Sequence, residues 1–171
     1  PIVIPASETG SQAWEPKNYD GKYEGPMRMR TALAKSRNMV SIRILQSIGP
    51  QYAQDYAAKF GFDAERHPPY LTMALGAGSV TPWQMVTGYS VFANGGYKVA
   101  PFVVKDIRDD KGNVLAAMPQ PGAPEESSRV IDPRNAYLMN SMLRDVTISG
   151  TAARAAVLLK RHDLAGKTGT T

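Results

Sequence analysis

Two short groups of polar residues in this chain carry side chains suited to acid–base or substrate-binding chemistry. In Ser36-Arg37-Asn38, a hydroxyl that can pass on a proton lies two positions from a carboxamide that can hold a carbonyl. The run Lys167-Thr168-Gly169-Thr170 offers a cation, two hydroxyls and a glycine that allows close approach to the backbone. Each group is short, so neither identifies a reaction by itself.

Both groups also allow simpler explanations. One is that Ser36 or Asn38 caps a helix, since both residue types accept hydrogen bonds from a first helical turn. Gly166-Lys167-Thr168 resembles the end of a phosphate-binding loop, but that motif needs glycine at position 161, where the chain has Arg. A solvated turn that carries a lysine also explains the tail.

Composition excludes several other kinds of site. The 171 residues include no cysteine and only two histidines, so thiol chemistry, thiolate zinc sites and histidine-rich metal sites are excluded. We expect no metal and no cofactor. The formal net charge is +5. Although this charge and eight tyrosines permit a nucleic-acid module, no recognition motif supports one, and we expect no nucleic-acid partner.

Helix signals place the first polar group at a break between two helices. Strong helix formers predict helices over 27–35 and 38–48, with a break near Ser36. The apolar residues of the second helix recur at helical spacing, and they are Met39, Ile42, Leu45 and Ile48. Gly49-Pro50 predicts the end of this helix and the start of a third, which stops at Gly61.

Two further helices are predicted by a capping residue followed by proline. Thr81-Pro82 begins an aromatic helix over 81–94, which we expect to be core. Asp132-Pro133 begins a helix over about 135–146. Its expected buried residues are Tyr137, Leu138, Met142 and Leu143. Thr151 is expected to cap a short helix over 152–159.

Together these patterns predict a mainly helical α+β fold with an incomplete sheet. The expected order is an extended lead-in over 1–26 anchored by Trp14, a helical region over 27–96, a β-hairpin over about 97–117, a linker over 118–128, a helical region over 129–160 and a terminal strand beginning within 164–171. Regular strand alternation would separate Lys167 from Thr168. Since the strand would be an unpaired edge, we expect association or disorder at 160–171.

Longer stretches of the sequence resemble the transpeptidase domain of class A penicillin-binding proteins. The resemblance is carried by residues 14–44, 75–96, 150–156 and 164–171, in the order found in that family. Ser-x-Asn followed by Lys-Thr-Gly is a motif pair of penicillin-binding proteins and serine β-lactamases. Arg37 stands where class A β-lactamases have Asp, which disfavours a β-lactamase fragment.

The resemblance implies part of a peptidoglycan D,D-transpeptidase. In that family an active-site serine attacks the D-Ala-D-Ala bond of a stem peptide, the acyl group passes to an amine of a neighbouring stem, and β-lactams mimic the substrate. The implied partners are stem peptides, β-lactams and the rest of the transpeptidase domain. The implied location is the periplasmic side of the bacterial inner membrane, with a membrane anchor and a glycosyltransferase domain elsewhere in the parent protein.

The resemblance also implies a role for each site residue. Catalytic roles fall to Ser36, Asn38 and Lys167, and substrate-binding roles to Thr168, Gly169 and Thr170. Ser36 would relay a proton, Asn38 would hold the acyl amide carbonyl, and Lys167 would supply positive potential. Thr168 and Thr170 would bind the terminal carboxylate. The backbone N–H of Thr170 would form half of the oxyanion hole.

The nucleophile of the family lies in a Ser-x-x-Lys motif, which these 171 residues do not contain. The nearest sequence is Ser141-Met142-Leu143-Arg144, and an arginine that stays protonated cannot act as the base. We therefore expect the nucleophile and its lysine to lie before Pro1, and we expect no acyl transfer by this chain alone. The alternative is a non-catalytic binding or scaffold module that keeps the fold.

Overall fold

The computed structural model consists mainly of helices, with one antiparallel pair of strands. It describes residues 1–9, 12–119 and 125–169. Within these ranges the helices are α1 (Ala6–Thr9), α2 (Met29–Ala34), α3 (Asn38–Ile48), α4 (Pro50–Lys59), α5 (Pro82–Ala93), α6 (Pro133–Ile148) and α7 (Ala153–Leu159). The strands are β1 (Asp106–Arg108) and β2 (Val114–Ala117), and short 3-10 turns occur at Ala64–Arg66, Leu71–Leu75 and Glu126–Ser128. Within the described part of the chain, no helix is long and apolar enough to cross a membrane.

Helix starts follow the capping signals of the sequence. The Thr81 hydroxyl accepts a hydrogen bond from the Gln84 N–H at 3.1 Å, and the Gln84 side chain accepts one from the Thr81 N–H at 2.9 Å. This reciprocal pair satisfies two N–H groups that the start of α5 leaves without helical partners. At α6 the Asp132 carboxylate accepts a bond from the Arg134 N–H at 2.8 Å. The predicted capped starts of both helices are therefore confirmed.

The lead-in is fixed to α3 by a small apolar cluster. Backbone hydrogen bonds of 3.0 and 2.8 Å join Ile4 and Trp14, and Trp14 packs against the cluster. The predicted anchoring role of Trp14 is therefore confirmed. The buried members of this cluster are Ile2, Ile4, Met39 and Ile42. A second cluster joins α4, α5 and α6, and its buried members are Phe60, Val91, Ile131 and Ala136.

Helix α5 is only partly buried, so the prediction that it is core is wrong. Val91 is fully buried, but Trp83 is 48% exposed and Val86 is 60% exposed. The buried face also includes Gly88, where a Cβ atom would lie 2.9 Å from the ring of Phe62. The ring of Phe62 therefore packs directly on the backbone of α5 at Gly88. The spacing of the apolar residues does not predict that the face with Gly88 is the buried one.

The burial of α6 also differs from its prediction. Leu143 is buried as expected, but Tyr137 is 73% exposed and Leu138 is 51% exposed. The helix packs against α2, α5 and α7 with a different face. The buried residues of that face are Ala136, Leu143, Val146 and Thr147. On α3, three of the four apolar residues at helical spacing are buried, and Ile48 is 48% exposed.

The β-hairpin is shorter than predicted. Strand β1 pairs antiparallel with β2, and the Asp109 carboxylate accepts bonds from the Lys111 and Asn113 N–H groups in the turn. Tyr97 pairs instead with Arg129, which ends the predicted hairpin over 97–117 at its amino side. The predicted linker over 118–128 lies partly outside the described residues, and its last part forms the turn Glu126–Ser128.

The predicted capping role of Thr151 is wrong. No side chain caps α7, and Thr151 makes a different contact that is described below. Residues 164–169 pair with no strand in the described part of the chain and are bonded to α6: the Thr147 hydroxyl donates to the Leu164 carbonyl at 2.7 Å, and the Gly166 N–H donates to the Leu143 carbonyl at 3.2 Å. The last two residues of the predicted terminal strand over 164–171 lie outside the described residues. The association or disorder expected at 160–171 stays a prediction.

The junction between α6 and α7 lies directly against the end of α2. The Thr151 N–H donates to the Ala34 carbonyl at 3.1 Å. At Gly150 a Cβ atom would lie 2.4 Å from the Ala34 oxygen and 2.8 Å from Val146 Cα. Both neighbours are backbone atoms, so they cannot move aside as a flexible side chain would.

We therefore predict that Gly150→Ala lowers the free energy of unfolding by about 1–3 kcal/mol, the usual cost of forcing an extra carbon into a packed site. Gly166→Ala is the control, because no atom lies within 4 Å of the added carbon at that position. Urea denaturation followed by tryptophan fluorescence measures both. Equal stability of the two variants would contradict the close contact at Gly150.

Candidate active site

Ser36 and Lys167 meet although 131 positions separate them in the sequence. The Lys167 Nζ donates a hydrogen bond of 2.7 Å to the Ser36 Oγ. Ser36 lies in the turn between α2 and α3, and Lys167 lies in the segment that follows α7. The two polar groups singled out in the sequence therefore form one site.

The turn at Ser36 has an unusual backbone conformation. Its φ angle is +54°, in the left-handed region that costs a residue with a side chain about 1–2 kcal/mol. The turn is closed by hydrogen bonds from the Ser36 N–H to the Leu33 carbonyl at 3.1 Å and from the Arg37 N–H to the Ala32 carbonyl at 2.9 Å. This turn ends α2 and directs the Ser36 hydroxyl to Lys167.

Thr151, which was expected to cap a helix, is a member of this site. Its hydroxyl lies 2.6 Å from the hydroxyl of Thr168. The backbone of Thr151 is fixed to α2 through Ala34, so this contact links the tail to the same helix end that carries Ser36. In the sequence, Thr151 is marked only by its place after Gly150 and before a short helix. Such a place favours helix capping, and it gives no sign of the contact with Thr168, 17 positions further along the chain.

These residues border an open cleft of about 1160 Å³. The polar part of the lining includes Ser36, Asn38, Thr151 and the tail from Gly166 to Gly169, together with the charged residues Asp20, Lys35 and Arg37. The lining also includes the apolar residues Ala74, Leu75, Met85 and Tyr89. The cleft therefore combines hydrogen-bonding groups with an apolar wall, as a site for a peptide-like ligand requires.

Lys167 is a partly buried cation in this cleft. Burial lowers the pKa of its ammonium group, because desolvation disfavours the charged form. Its Nζ also lies 2.9 Å from the Thr168 carbonyl and 3.5 Å from the Thr168 hydroxyl. Regular strand alternation would place Lys167 and Thr168 on opposite faces, but both residues border the cleft.

The other predicted site residues have different positions. Asn38 borders the cleft, and its side-chain N–H donates to the Lys17 carbonyl at 2.9 Å. Gly169 also borders the cleft, while Thr170 lies outside the described residues. Neither histidine is part of the described lining: the His67 ring packs beside Phe62, and the His162 carbonyl accepts a bond from Arg144.

Comparison with known proteins identifies the family. The family model for the penicillin binding protein transpeptidase domain matches residues 4–171. The chain therefore belongs to the penicillin-binding protein transpeptidase domain family. This confirms the resemblance that the motifs indicated.

Relatives and solved structures agree with this assignment. The chain is 52% identical over 171 residues to penicillin-binding protein 1A of Neisseria flavescens and 41% identical over 216 aligned residues to that of Pseudomonas aeruginosa. The alignments cover 100% of this chain but 21% and 26% of those relatives, so the chain spans about a fifth to a quarter of their length.

The crystal structure of penicillin-binding protein 1A from Haemophilus influenzae matches with a TM-score of 0.85 and 32% identity, covering 100% of this chain and 30% of that chain. The D,D-transpeptidase domain of an Eggerthella lenta peptidoglycan glycosyltransferase shares the fold, with a TM-score of 0.71 at 19% identity and coverage of 100% of this chain and 46% of that chain. The predicted fold class is thus confirmed, with a two-stranded sheet in the described residues.

The lowered pKa of Lys167 gives a testable pH dependence of stability. The ordinary pKa is 10.5, and the folded-state pKa lies below it, so between the two values the unfolded chain binds more protons than the folded chain. The contribution of Lys167 to the free energy of unfolding therefore rises with pH through this interval. We expect wild type to gain stability relative to Lys167→Met as pH rises toward 10.5. Urea denaturation of both proteins over a pH series measures this, and a difference that falls with pH would contradict the burial of the ammonium.

Proposed function

We propose that this chain forms part of the acyl-transfer site of a peptidoglycan D,D-transpeptidase. The observation that carries the proposal is the 2.7 Å contact of Lys167 Nζ with Ser36 Oγ inside the cleft. It joins the two motifs that the family uses for one reaction. The family match and the close relatives named penicillin-binding protein 1A support the same function.

Ser36 acts as a proton relay in this proposal. Its oxygen accepts the bond from Lys167, which leaves its own O–H proton available to another acceptor. The reaction nucleophile is a serine in a Ser-x-x-Lys segment that lies outside these 171 residues. When the oxygen of that serine bonds to the carbonyl carbon of the penultimate D-Ala, its proton passes to the lysine of the segment. The lysine then passes this proton through Ser36 to the nitrogen of the terminal D-Ala, and the bond between that nitrogen and the acyl carbon breaks.

Transfer to the second stem peptide runs through the same groups in reverse. The acceptor amine attacks the acyl-enzyme ester and gives up its proton through Ser36, while the bond between the acyl carbon and the serine oxygen breaks. The new amide bond is the cross-link, and the serine regains its proton. Ser36 therefore both gives and takes a proton during one turnover.

Asn38, Lys167 and the tail hold the substrate. Asn38 donates to the acyl-side amide carbonyl, and the positive charge of Lys167 attracts the terminal carboxylate. Thr168 binds that carboxylate through its hydroxyl, beside Gly169, whose lack of a side chain leaves room for the peptide. Thr170 completes this set with its hydroxyl and with one N–H of the oxyanion hole, which stabilises the tetrahedral intermediate.

We infer the location and partners from the same reaction. The substrates are peptidoglycan stem peptides, and β-lactams acylate the same serine. The chain works beside the rest of a transpeptidase domain, on the periplasmic side of the inner membrane, and contacts the membrane only through an anchor elsewhere in the protein. A non-catalytic scaffold of the same fold is the second candidate, and an upstream Ser-x-x-Lys segment would decide between the two.

The test is intact mass after incubation with benzylpenicillin. We expect an adduct on a protein that joins this chain to an upstream Ser-x-x-Lys segment and none on the 171 residues alone. An adduct on the short chain would show that the nucleophile is one of its own serines. No adduct on either protein would favour the scaffold, and binding of the antibiotic without acylation would then be measured by calorimetry.

Thr151 gives a second test of the site. Thr151→Val removes the hydroxyl that contacts Thr168 but keeps the shape of the side chain. The change is made in the protein that includes the upstream Ser-x-x-Lys segment. Because the Thr151–Thr168 hydrogen bond holds Thr168 for carboxylate binding, its loss, worth about 1 kcal/mol, should slow acylation by benzylpenicillin about fivefold. Thr151→Ser is the matched control, since it keeps the hydroxyl and should retain most of the rate. Equal rates for the two variants would exclude Thr151 from the site.

A further inference from the structure

One loop of the lead-in is bonded to nearly every residue of the turn that carries Ser36. This loop comprises residues 17–24 and is called here the clamp loop. Its own shape is set by hydrogen bonds from the Asn18 side chain to the Lys22 carbonyl at 2.7 Å, from the Gly21 N–H to the Asn18 carbonyl at 2.8 Å and from the Lys22 N–H to the Asp20 carboxylate at 3.0 Å. The clamp loop is therefore a defined structural element.

A single carboxylate of the clamp loop holds both neighbours of Ser36. Glu24 Oε1 accepts from Lys35 Nζ at 3.0 Å, and Glu24 Oε2 accepts from Arg37 Nε at 3.0 Å. Asp20 adds a second bond to Arg37, at 2.7 Å from its Nη1. The Arg37 side chain is only 12% exposed in this arrangement, so its charge is well enclosed by the two acids.

The hydrogen bonds continue on the α3 side of the turn. The Asn38 side chain donates to the Lys17 carbonyl at 2.9 Å, and the Met39 N–H donates to the Asn18 side-chain oxygen at 3.2 Å. Asn18 is buried, with 6% of its surface exposed. It therefore accepts a bond from the first turn of α3, where the helix offers no internal partner for that N–H.

Ser36 itself bonds to Lys167 on the cleft side. Its left-handed backbone is one that a residue with a side chain adopts only where the surroundings enforce it. The clamp loop holds positions 35, 37, 38 and 39 and so fixes the turn on both sides of Ser36. Hydrogen bonds lower the pKa of Glu24, mainly through Lys35, and that of Asp20, mainly through Arg37, so both acids stay charged at neutral pH.

We propose that the clamp loop is a positioning element of the active site, and that Glu24 is a positioning residue that holds Ser36 and Asn38 through Lys35 and Arg37. The proposal rests on the proposed transpeptidase function. Glu24 is not among the described residues that line the cleft, whereas Lys35 and Arg37, which it bonds, do line it. Glu24 therefore acts through these two residues and not on the substrate. Lys35 and Arg37 are both paired with acids of the clamp loop.

The test compares Glu24→Gln with Glu15→Gln in a protein that includes this chain and its Ser-x-x-Lys segment. Both changes remove one negative charge from an exposed residue of the lead-in, but Glu15 lies outside the clamp loop. The first readout is amide hydrogen exchange of Arg37 and Met39 in the free protein, which needs no activity. We expect about tenfold faster exchange in Glu24→Gln and no change in Glu15→Gln, because the open turn exposes these amides.

The second readout is acylation by benzylpenicillin, resolved into the dissociation constant of the first complex and the acylation rate constant. We expect Glu24→Gln to lower the rate constant about tenfold, since displaced catalytic groups lose reactivity steeply with distance. The dissociation constant should change less than about twofold, because the carboxylate site on the tail is intact. A purely structural role would instead reduce the fraction of protein that is acylated and leave the rate of the folded fraction unchanged.

Each outcome decides the proposal. Equal exchange and equal acylation rates for Glu24→Gln and Glu15→Gln would overturn it. Faster exchange with an unchanged rate constant would also overturn it, since the clamp would then fix the turn without serving the reaction. A wild-type protein that is not acylated would overturn the proposed function and the catalytic purpose of Glu24 together, while the exchange data would still decide whether Glu24 fixes the turn.

Discussion

The contact between the Lys167 ammonium and the Ser36 hydroxyl is the interaction on which the site depends. It spans 2.7 Å and joins a turn in the first quarter of the chain to its last residues. Such a contact has no local cause, so both partners must be held by the rest of the fold. Partial burial then changes the chemistry of the pair, because a less hydrated ammonium interacts more strongly with a hydroxyl and with an incoming anion.

Helix α6 provides most of this support. In its last turn, Asp145 accepts a hydrogen bond of 2.8 Å from Arg30, which attaches α2. Further bonds from Thr147 and Gly166 attach the segment that carries Lys167 to the same helix. At its end, Gly150 allows α2 to approach so closely that no side chain fits between them. One helix therefore sets the positions of both halves of the site.

Charge is distributed so that the turn is held without neutralising the cleft. Lys35 and Arg37 border the cleft, as Lys167 does, but they are paired with Asp20 and Glu24 of the lead-in. Lys167 instead bonds to a hydroxyl and a carbonyl. The paired cations position the turn, and Lys167 keeps its charge available for a carboxylate. The net positive charge of the sequence does not tell which cations hold the turn and which one is available for a carboxylate, because it is only a sum over all charged residues.

The sequence by itself determined the starts of α5 and α6, the break at Ser36 and the two motifs, because caps, prolines and glycines act on neighbouring residues. The tertiary structure decided which distant groups meet. It assigned Thr151 to Thr168 instead of to a helix cap, exposed Tyr137 and Leu138, and bonded the segment that carries Lys167 to α6. Each of these depends on the approach of segments that are separated along the chain, and local propensity carries no information about that approach.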